Sequence, residues 1–155
     1  MRHESLKRLA AAGVLDSAGD QSDSAYLLRL LAFELLLKVV IEGSIRQTVR
    51  GHDYQTLFSR LLDTQQAEIL RMAGDRIGPS ALNSNYQMVL QDLGRNFVNL
   101  RYPYEKYNDI TPENYAKRGE EWIAAGGHVS DADYRYHPEE LLGLTAALQR
   151  VVDVS

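Results

Sequence analysis

The sequence of 155 residues predicts an all-α fold, a helical bundle of five or more helices. Helix-forming residues dominate the chain, and runs of β-branched residues are scarce. Apolar residues recur at three- and four-residue steps, and polar or Gly-rich breaks separate these segments. The length is typical of one domain, since single domains centre on roughly 100–150 residues. We therefore expect residues 1–155 to form a single domain.

The most informative segment is residues 26–42, in which apolar side chains cover nearly the whole circumference of the predicted helix. A helix that is apolar on all sides is buried on all sides. Gly43 is a plausible end for this helix, although the pattern also permits continuation to Val49. A shorter amphipathic helix is predicted before it, at residues 4–15, and the polar stretch 16–23 separates the two.

The rest of the chain follows the same pattern of helices and polar loops. Thr111 and Pro112 form a strong helix start, because the hydroxyl can cap the first turn and Pro fits the first helical position. Pro103 is expected to end the helix before it. Residues 74–85 and 128–137 are predicted loops. Further helices are predicted at 51–62, 64–73, 86–101, 111–126 and from 138 onward.

Composition excludes several classes of function. The chain has no Cys, which excludes disulfide scaffolds, thiolate metal sites and a catalytic thiol. No Gly-rich phosphate loop and no metal-ligand spacing appear among the four His, so we expect no metal and no cofactor. No apolar run is long enough for a signal peptide or a membrane span. We expect a cytoplasmic protein without membrane contact.

The formal net charge of −4 argues against a protein that relies on non-specific phosphate contacts, but a local basic cleft is compatible with it. Arg95, Asn99 and Tyr102 fall on one helix face, at positions i, i+4 and i+7. Arg101 lies about 120° from Arg95 around the helix axis. A guanidinium group suits phosphate and carboxylate, and Tyr rings offer stacking surfaces for a base.

A purely structural interpretation of the same residues stays open. Arg95 could pair with Glu34 of the buried helix, which lies four residues before Lys38 and can also pair with it. Tyr102, together with Tyr104 and Tyr107, could pack at a helix end with the hydroxyls at the rim.

The order of these motifs resembles the HEPN superfamily, the small all-α domains of prokaryotic toxins, defence systems and some nucleases. The resemblance spans residues 22–107, which we take as the core, with 108–155 as additional C-terminal helices. The motifs that carry it are an apolar helix with internal Glu34 and Lys38, then Gly51-His52-Asp53 before Leu57-Phe58, and finally Arg95-Asn96.

In active members of that family, an Arg and a following polar residue precede a His by four to six intervening residues. Two protomers join these motifs in a dimer cleft that acts as a metal-independent ribonuclease. Here the permitted His positions hold Leu100, Arg101 and Tyr102. Arg101 cannot act as a base, because its guanidinium stays protonated. His52 is the substitute candidate, although capping or packing at the helix start is the favoured explanation for it.

The resemblance therefore implies a HEPN-like module that lacks the usual catalytic His. Such a module would bind RNA or a nucleotide in a defence or toxin–antitoxin setting. The partners that the resemblance implies are a second copy of the chain and a nucleotidyltransferase. The expected phosphate-facing residues are Arg95, Asn96, Arg101 and Tyr102, supported by Glu34, Lys38 and Asn99. One alternative is a metal-independent endoribonuclease that uses Arg95 and His52. Another is a structural helical dimerisation module.

We predict a homodimer, because five short helices leave part of an apolar central helix without cover. Light scattering at micromolar concentration should give twice the 17.5 kDa mass of the chain. A monomer at that concentration would contradict this prediction.

Overall fold

The computed structural model describes residues 1–102, 108, 110–128 and 131–154. These residues form seven helices and no strand, which confirms the predicted all-α class. The helices are α1 (Arg2–Ser17), α2 (Ser24–Ile45), α3 (Tyr54–Phe58), α4 (Asp63–Ile77), α5 (Ala81–Asn99), α6 (Pro112–Ala124) and α7 (Pro138–Val154).

Helix α2 lies at the centre of the bundle, where it contacts α1, α3, α5 and α7. Its apolar side chains between residues 26 and 41 are all buried or half-buried, as the sequence predicts. Helix α4 packs against α7, and α3 packs against α5. The core takes its largest fully buried side chains from α2, α3, α4, α5 and α7, including Phe33, Tyr54, Phe58, Ile69, Leu90 and Leu141.

Helix α2 continues past Gly43 to Ile45, where Arg46 adopts a left-handed conformation with φ of 53°. One helical Gly costs only about 1 kcal/mol, which the packing of the long apolar helix outweighs. The predicted helix at 51–62 is shorter in the structure, because α3 ends at Phe58 and a turn separates it from α4. Asp53 begins α3 by accepting a hydrogen bond from the backbone of Thr56.

The prediction of a loop at 74–85 is wrong, because α4 continues to Ile77 and α5 begins at Ala81. Ser80 caps the first turn of α5 by accepting a hydrogen bond from the Leu82 N–H. At Asn85 the backbone leaves the helical region, and the Asn85 side chain accepts a hydrogen bond from the Met88 N–H. Two capping side chains thus convert an apparent loop into a kinked helix.

The helices in the C-terminal part of the chain begin where the sequence predicts. Thr111 caps α6 and Pro112 is its first residue, as expected from their order in the sequence. Helix α5 ends at Asn99, two residues before the predicted end at Arg101. Pro103, Tyr104 and Tyr107, which entered the sequence predictions, lie outside the described residues. No helix in the described ranges has the length and apolar content of a membrane span.

Gly94 allows α5 to approach the turn that precedes α3. A Cβ atom at this position would lie 3.2 Å from the carbonyl oxygen of His52 and 3.3 Å from the backbone nitrogen of Tyr54. These neighbours are backbone atoms, so they cannot rotate away as a side chain would. The absence of a side chain at Gly94 therefore allows α5 to lie this close to the turn that holds His52.

We predict that Gly94→Val lowers the free energy of unfolding by about 1–3 kcal/mol, because the new side chain overpacks this contact. Gly13→Val in α1 is the matched control, since no atom lies within 4 Å of a Cβ there. Its effect should stay within about 0.5 kcal/mol. Urea denaturation of both variants checks the prediction, and equal losses would contradict it.

Candidate functional site

Glu34 is a carboxylate in the middle of the buried helix α2, with a side chain only 4% exposed. Lys38, one turn later, donates a hydrogen bond from Nζ to Oε1 at 2.7 Å, which confirms the pairing expected from the sequence. His52 Nδ1 lies 3.0 Å from Oε1 and 2.9 Å from Oε2. Glu34 is therefore held by two basic side chains from different parts of the chain.

His52 lies in the turn before α3, and its side chain is 47% exposed. The ring also contacts Phe97 of α5, with 5.4 Å between the ring centroids. An ionised carboxylate only accepts hydrogen bonds, so contact with Glu34 assigns the Nδ1 proton to His52. Nε2 is then the nitrogen that can exchange a proton with a ligand.

A shallow concavity of about 310 Å³ opens beside this ring, and we call it the His52 cleft. Its lining residues are His52, Asp53, Tyr54, Gln91, Gly94, Arg95 and Val98. Arg95 is exposed, and its side chain makes no hydrogen bond or ion pair within the described part of the chain. Arg95 does not pair with Glu34, as the structural interpretation of the sequence suggested. Lys38 and His52 bind that carboxylate instead.

Tyr54 forms the inner wall of the cleft and does not act as an acid there. Its hydroxyl donates a hydrogen bond to the carbonyl of Leu30 at 3.1 Å. Burial raises the pKa of Tyr54 well above its usual value, so the phenol stays protonated. The acidic group in the lining, Asp53, is engaged in capping α3, where the helix dipole favours a negative charge.

Arg101 stacks on Phe97, the same ring that His52 contacts. Its guanidinium carbon lies 4.4 Å from the Phe97 ring centroid, and Nε donates a hydrogen bond to the Phe97 carbonyl at 3.1 Å. Tyr102 is exposed and its ring lies 5.6 Å from the Arg101 guanidinium carbon. Asn99 is half-buried, and its backbone carbonyl accepts a hydrogen bond from the Tyr102 N–H.

Asn96 does not lie on this surface, so the prediction that it faces a phosphate there is wrong. It is 2% exposed and donates hydrogen bonds from Nδ2 to the carbonyl of Arg135 at 2.8 Å and to the hydroxyl of Tyr26 at 3.2 Å. Successive residues of an α-helix are about 100° apart around its axis, so the Asn96 side chain points into the bundle whereas Arg95 is exposed. Its role in this structure is to connect α2, α5 and the segment before α7.

A second polar group, which the sequence did not predict, surrounds Asp92, and we call it the Asp92 network. The buried carboxylate of Asp92 accepts hydrogen bonds from Arg135 at 2.8 Å and from His137 Nε2 at 2.9 Å. Glu140 accepts a hydrogen bond from the Ala81 N–H at the start of α5. A signal was present, because Asp92 and Asn96 occupy the apolar stripe of α5 four residues apart.

The chemistry available in the His52 cleft is that of one imidazole with a fixed tautomer and one guanidinium that has no ion-pair partner among the residues that the structure describes. The guanidinium can bind a phosphate group, and the imidazole can accept or donate a proton. Among the described residues, no three His, Cys, Asp or Glu side chains are grouped to hold a metal ion.

We predict that Asn96→Ala lowers the free energy of unfolding by about 1–3 kcal/mol, because a buried carbonyl and a hydroxyl lose their donor. Asn99→Ala, three residues later on α5, is the control and should change stability by less than about 0.5 kcal/mol. Chemical denaturation measures both. If Asn96→Ala leaves stability unchanged and weakens phosphate binding, Asn96 acts at the surface after all.

Comparison with known proteins yields no relative for this chain. No protein-family model, no curated protein and no solved structure matches it.

Proposed function

We propose that this chain is a HEPN-like helical module that binds a phosphate group of RNA or of a nucleotide in the His52 cleft. The observation that carries the proposal is Arg95, an exposed arginine without an ion-pair partner in the described residues, on the same concavity as His52. Arg101 and Tyr102 extend the binding surface beyond Phe97. Glu34, Lys38 and Asn99 support this surface from inside.

The local charge supports an anionic ligand, although the chain as a whole is negative. Glu34 is the buried carboxylate nearest to His52, and Lys38 compensates its charge. Asp53 accepts a backbone hydrogen bond at the start of α3. Arg95 has no ion-pair partner in the described residues, so its guanidinium can bind a phosphate through two parallel hydrogen bonds.

A second candidate function is metal-independent cleavage of RNA, and the contact between Glu34 and His52 favours it. In this reaction His52 Nε2 takes the proton of the ribose 2′-OH, and the 2′-oxygen attacks phosphorus. The 5′-oxygen leaves with a proton, and the product is a 2′,3′-cyclic phosphate. Arg95 stabilises the charge that develops on the phosphoryl oxygens. The general acid that supplies the proton to the 5′-oxygen would be a second copy of His52, from a homodimer partner.

The wider setting rests on the resemblance alone. A defence or toxin–antitoxin role, with a nucleotidyltransferase as partner, is a proposal that follows from the HEPN-like motifs. The third possibility, a structural dimerisation module, requires no ligand in the cleft. A measurement of RNA binding therefore distinguishes this possibility from the other two.

We predict that the protein binds a fluorescein-labelled single-stranded RNA, and that Arg95→Ala weakens this binding about tenfold or more. The magnitude follows from a lost charge-assisted hydrogen bond of about 1.5–3 kcal/mol. Arg76→Ala, which removes the same charge from the last turn of α4, is the control and should have a much smaller effect. Fluorescence anisotropy measures the dissociation constants. Equal effects of the two variants would contradict a specific site, and no binding by the wild type would contradict the proposal.

The same RNA, incubated with the protein and EDTA, separates binding from cleavage. His52→Ala should abolish any cleavage and retain most of the binding, whereas Arg95→Ala should reduce both. Binding without cleavage by the wild type supports the non-catalytic module. Cleavage that persists in His52→Ala would contradict the proposed role of the imidazole.

A further inference from the structure

A second concavity, of about 410 Å³, lies between α1, α4 and α7, and we call it the Arg150 pocket. Each of these helices contributes one arginine to the lining: Arg2 from α1, Arg76 from α4 and Arg150 from α7. The volume falls within the range of about 300–1,000 Å³ that is typical of small-molecule sites. The pocket shares no lining residue with the His52 cleft, so it is a separate candidate site.

The lining of the Arg150 pocket carries a positive charge. Its one carboxylate, Asp153, forms an ion pair with Arg2. The side chains of Arg76 and Arg150 make no hydrogen bond or ion pair with the residues that the structure describes. Three guanidiniums and one carboxylate therefore leave two positive charges in the lining that a ligand can neutralise.

The described fold does not use the hydrogen-bond donors of these two arginines. Arg76 lies in the last turn of α4, where the helix dipole favours a positive charge, but that interaction leaves its N–H groups without acceptors. Asp75, the carboxylate next to it in the sequence, binds Arg71 instead. Gln149 is half-buried in the same lining, and its side-chain amide has no hydrogen-bond partner in the described ranges. Three side chains of the pocket thus have donors available for an anion.

Part of the lining is apolar. Leu36 reaches the pocket from the central helix α2 and is 1% exposed, whereas Leu6 of α1 is 45% exposed. Val152 of α7 adds a further apolar side chain. A ligand with an apolar group beside its anionic group would remove this surface from water, which is favourable in proportion to the area covered.

We propose that the Arg150 pocket binds a small phosphate monoester, with its phosphoryl group on Arg76 and Arg150 and its apolar part against Leu6 and Leu36. A phosphate monoester has a charge of about −1.5 to −2 near pH 7 and three acceptor oxygens, which match the two positive charges of the lining. Each guanidinium can donate two parallel hydrogen bonds to such a group. A carboxylate or a phosphodiester carries a single negative charge and would neutralise only one of the two arginines.

Isothermal titration calorimetry with phenyl phosphate tests the proposal. We expect saturable binding to the full chain at neutral pH. Methyl phenyl phosphate, a diester that keeps the ring but has one negative charge, should bind about tenfold more weakly, because a charge-assisted hydrogen bond is lost. Inorganic phosphate should also bind more weakly, because it leaves the apolar lining in contact with water. Absence of saturable binding, or equal affinity for either comparison ligand, would overturn the proposal.

Variants of the two arginines locate the site. Arg76→Ala and Arg150→Ala should each weaken the binding of phenyl phosphate about tenfold or more, since each removes charge-assisted hydrogen bonds. Both side chains are exposed, so the variants should fold normally. Arg60→Ala is the control, because it removes the same charge from an exposed position outside the lining and should leave the affinity nearly unchanged. Equal losses in the three variants would show attraction to the surface without a site and would overturn the proposal.

Arg95→Ala separates this site from the His52 cleft, since both are proposed to bind phosphate. This variant should weaken RNA binding and leave the binding of phenyl phosphate unchanged, whereas Arg76→Ala should do the reverse. If the binding of phenyl phosphate depends on Arg95 and not on Arg150, the ligand occupies the His52 cleft and the Arg150 pocket is not its site.

Discussion

The burial of one carboxylate in the central helix determines how the candidate site is built. Glu34 lies on a helix whose other core-facing residues are apolar, and a charge in such surroundings is stable only with partners. Lys38 supplies one partner within the helix, and His52 supplies the other from the turn before α3. Because His52 Nδ1 contacts Glu34, one edge of its ring is fixed, and the ring lines the same cleft as Arg95. The orientation of the imidazole is thus a consequence of packing α2.

The sequence predicted those features that depend on local chemistry. The amphipathic periods, the Thr111-Pro112 start and the contact between Glu34 and Lys38 involve residues a few positions apart, and the structure confirms them. Features that depend on long-range contacts were missed. Asp92 and Asn96 bind residues near position 135, about forty positions away, so their partners could not be recognised. The contact between Glu34 and His52 spans eighteen positions and was missed for the same reason.

The two polar groups of α5 show how neighbouring residues divide their roles. Arg95 lies on the exposed side, whereas Asn96 faces Tyr26 and the segment before α7. Asp92 lies one turn before Asn96 and binds the same segment through Arg135 and His137. Specific hydrogen bonds of this kind tolerate only one relative placement of the helices, whereas apolar contacts tolerate several. The inward side of α5 therefore fixes the position from which Arg95 meets a ligand.

Helix α6 differs from the others because none of its side chains is buried. The stability of the bundle consequently places little constraint on which amino acids stand there. Natural variants of this protein would be free to drift along most of α6, except where a residue is retained by what it contacts outside the core. The amount of variation at Trp122, whose indole N–H donates to the carbonyl of His128, compared with that at Ile123, would therefore show how strongly contacts outside the core constrain this helix.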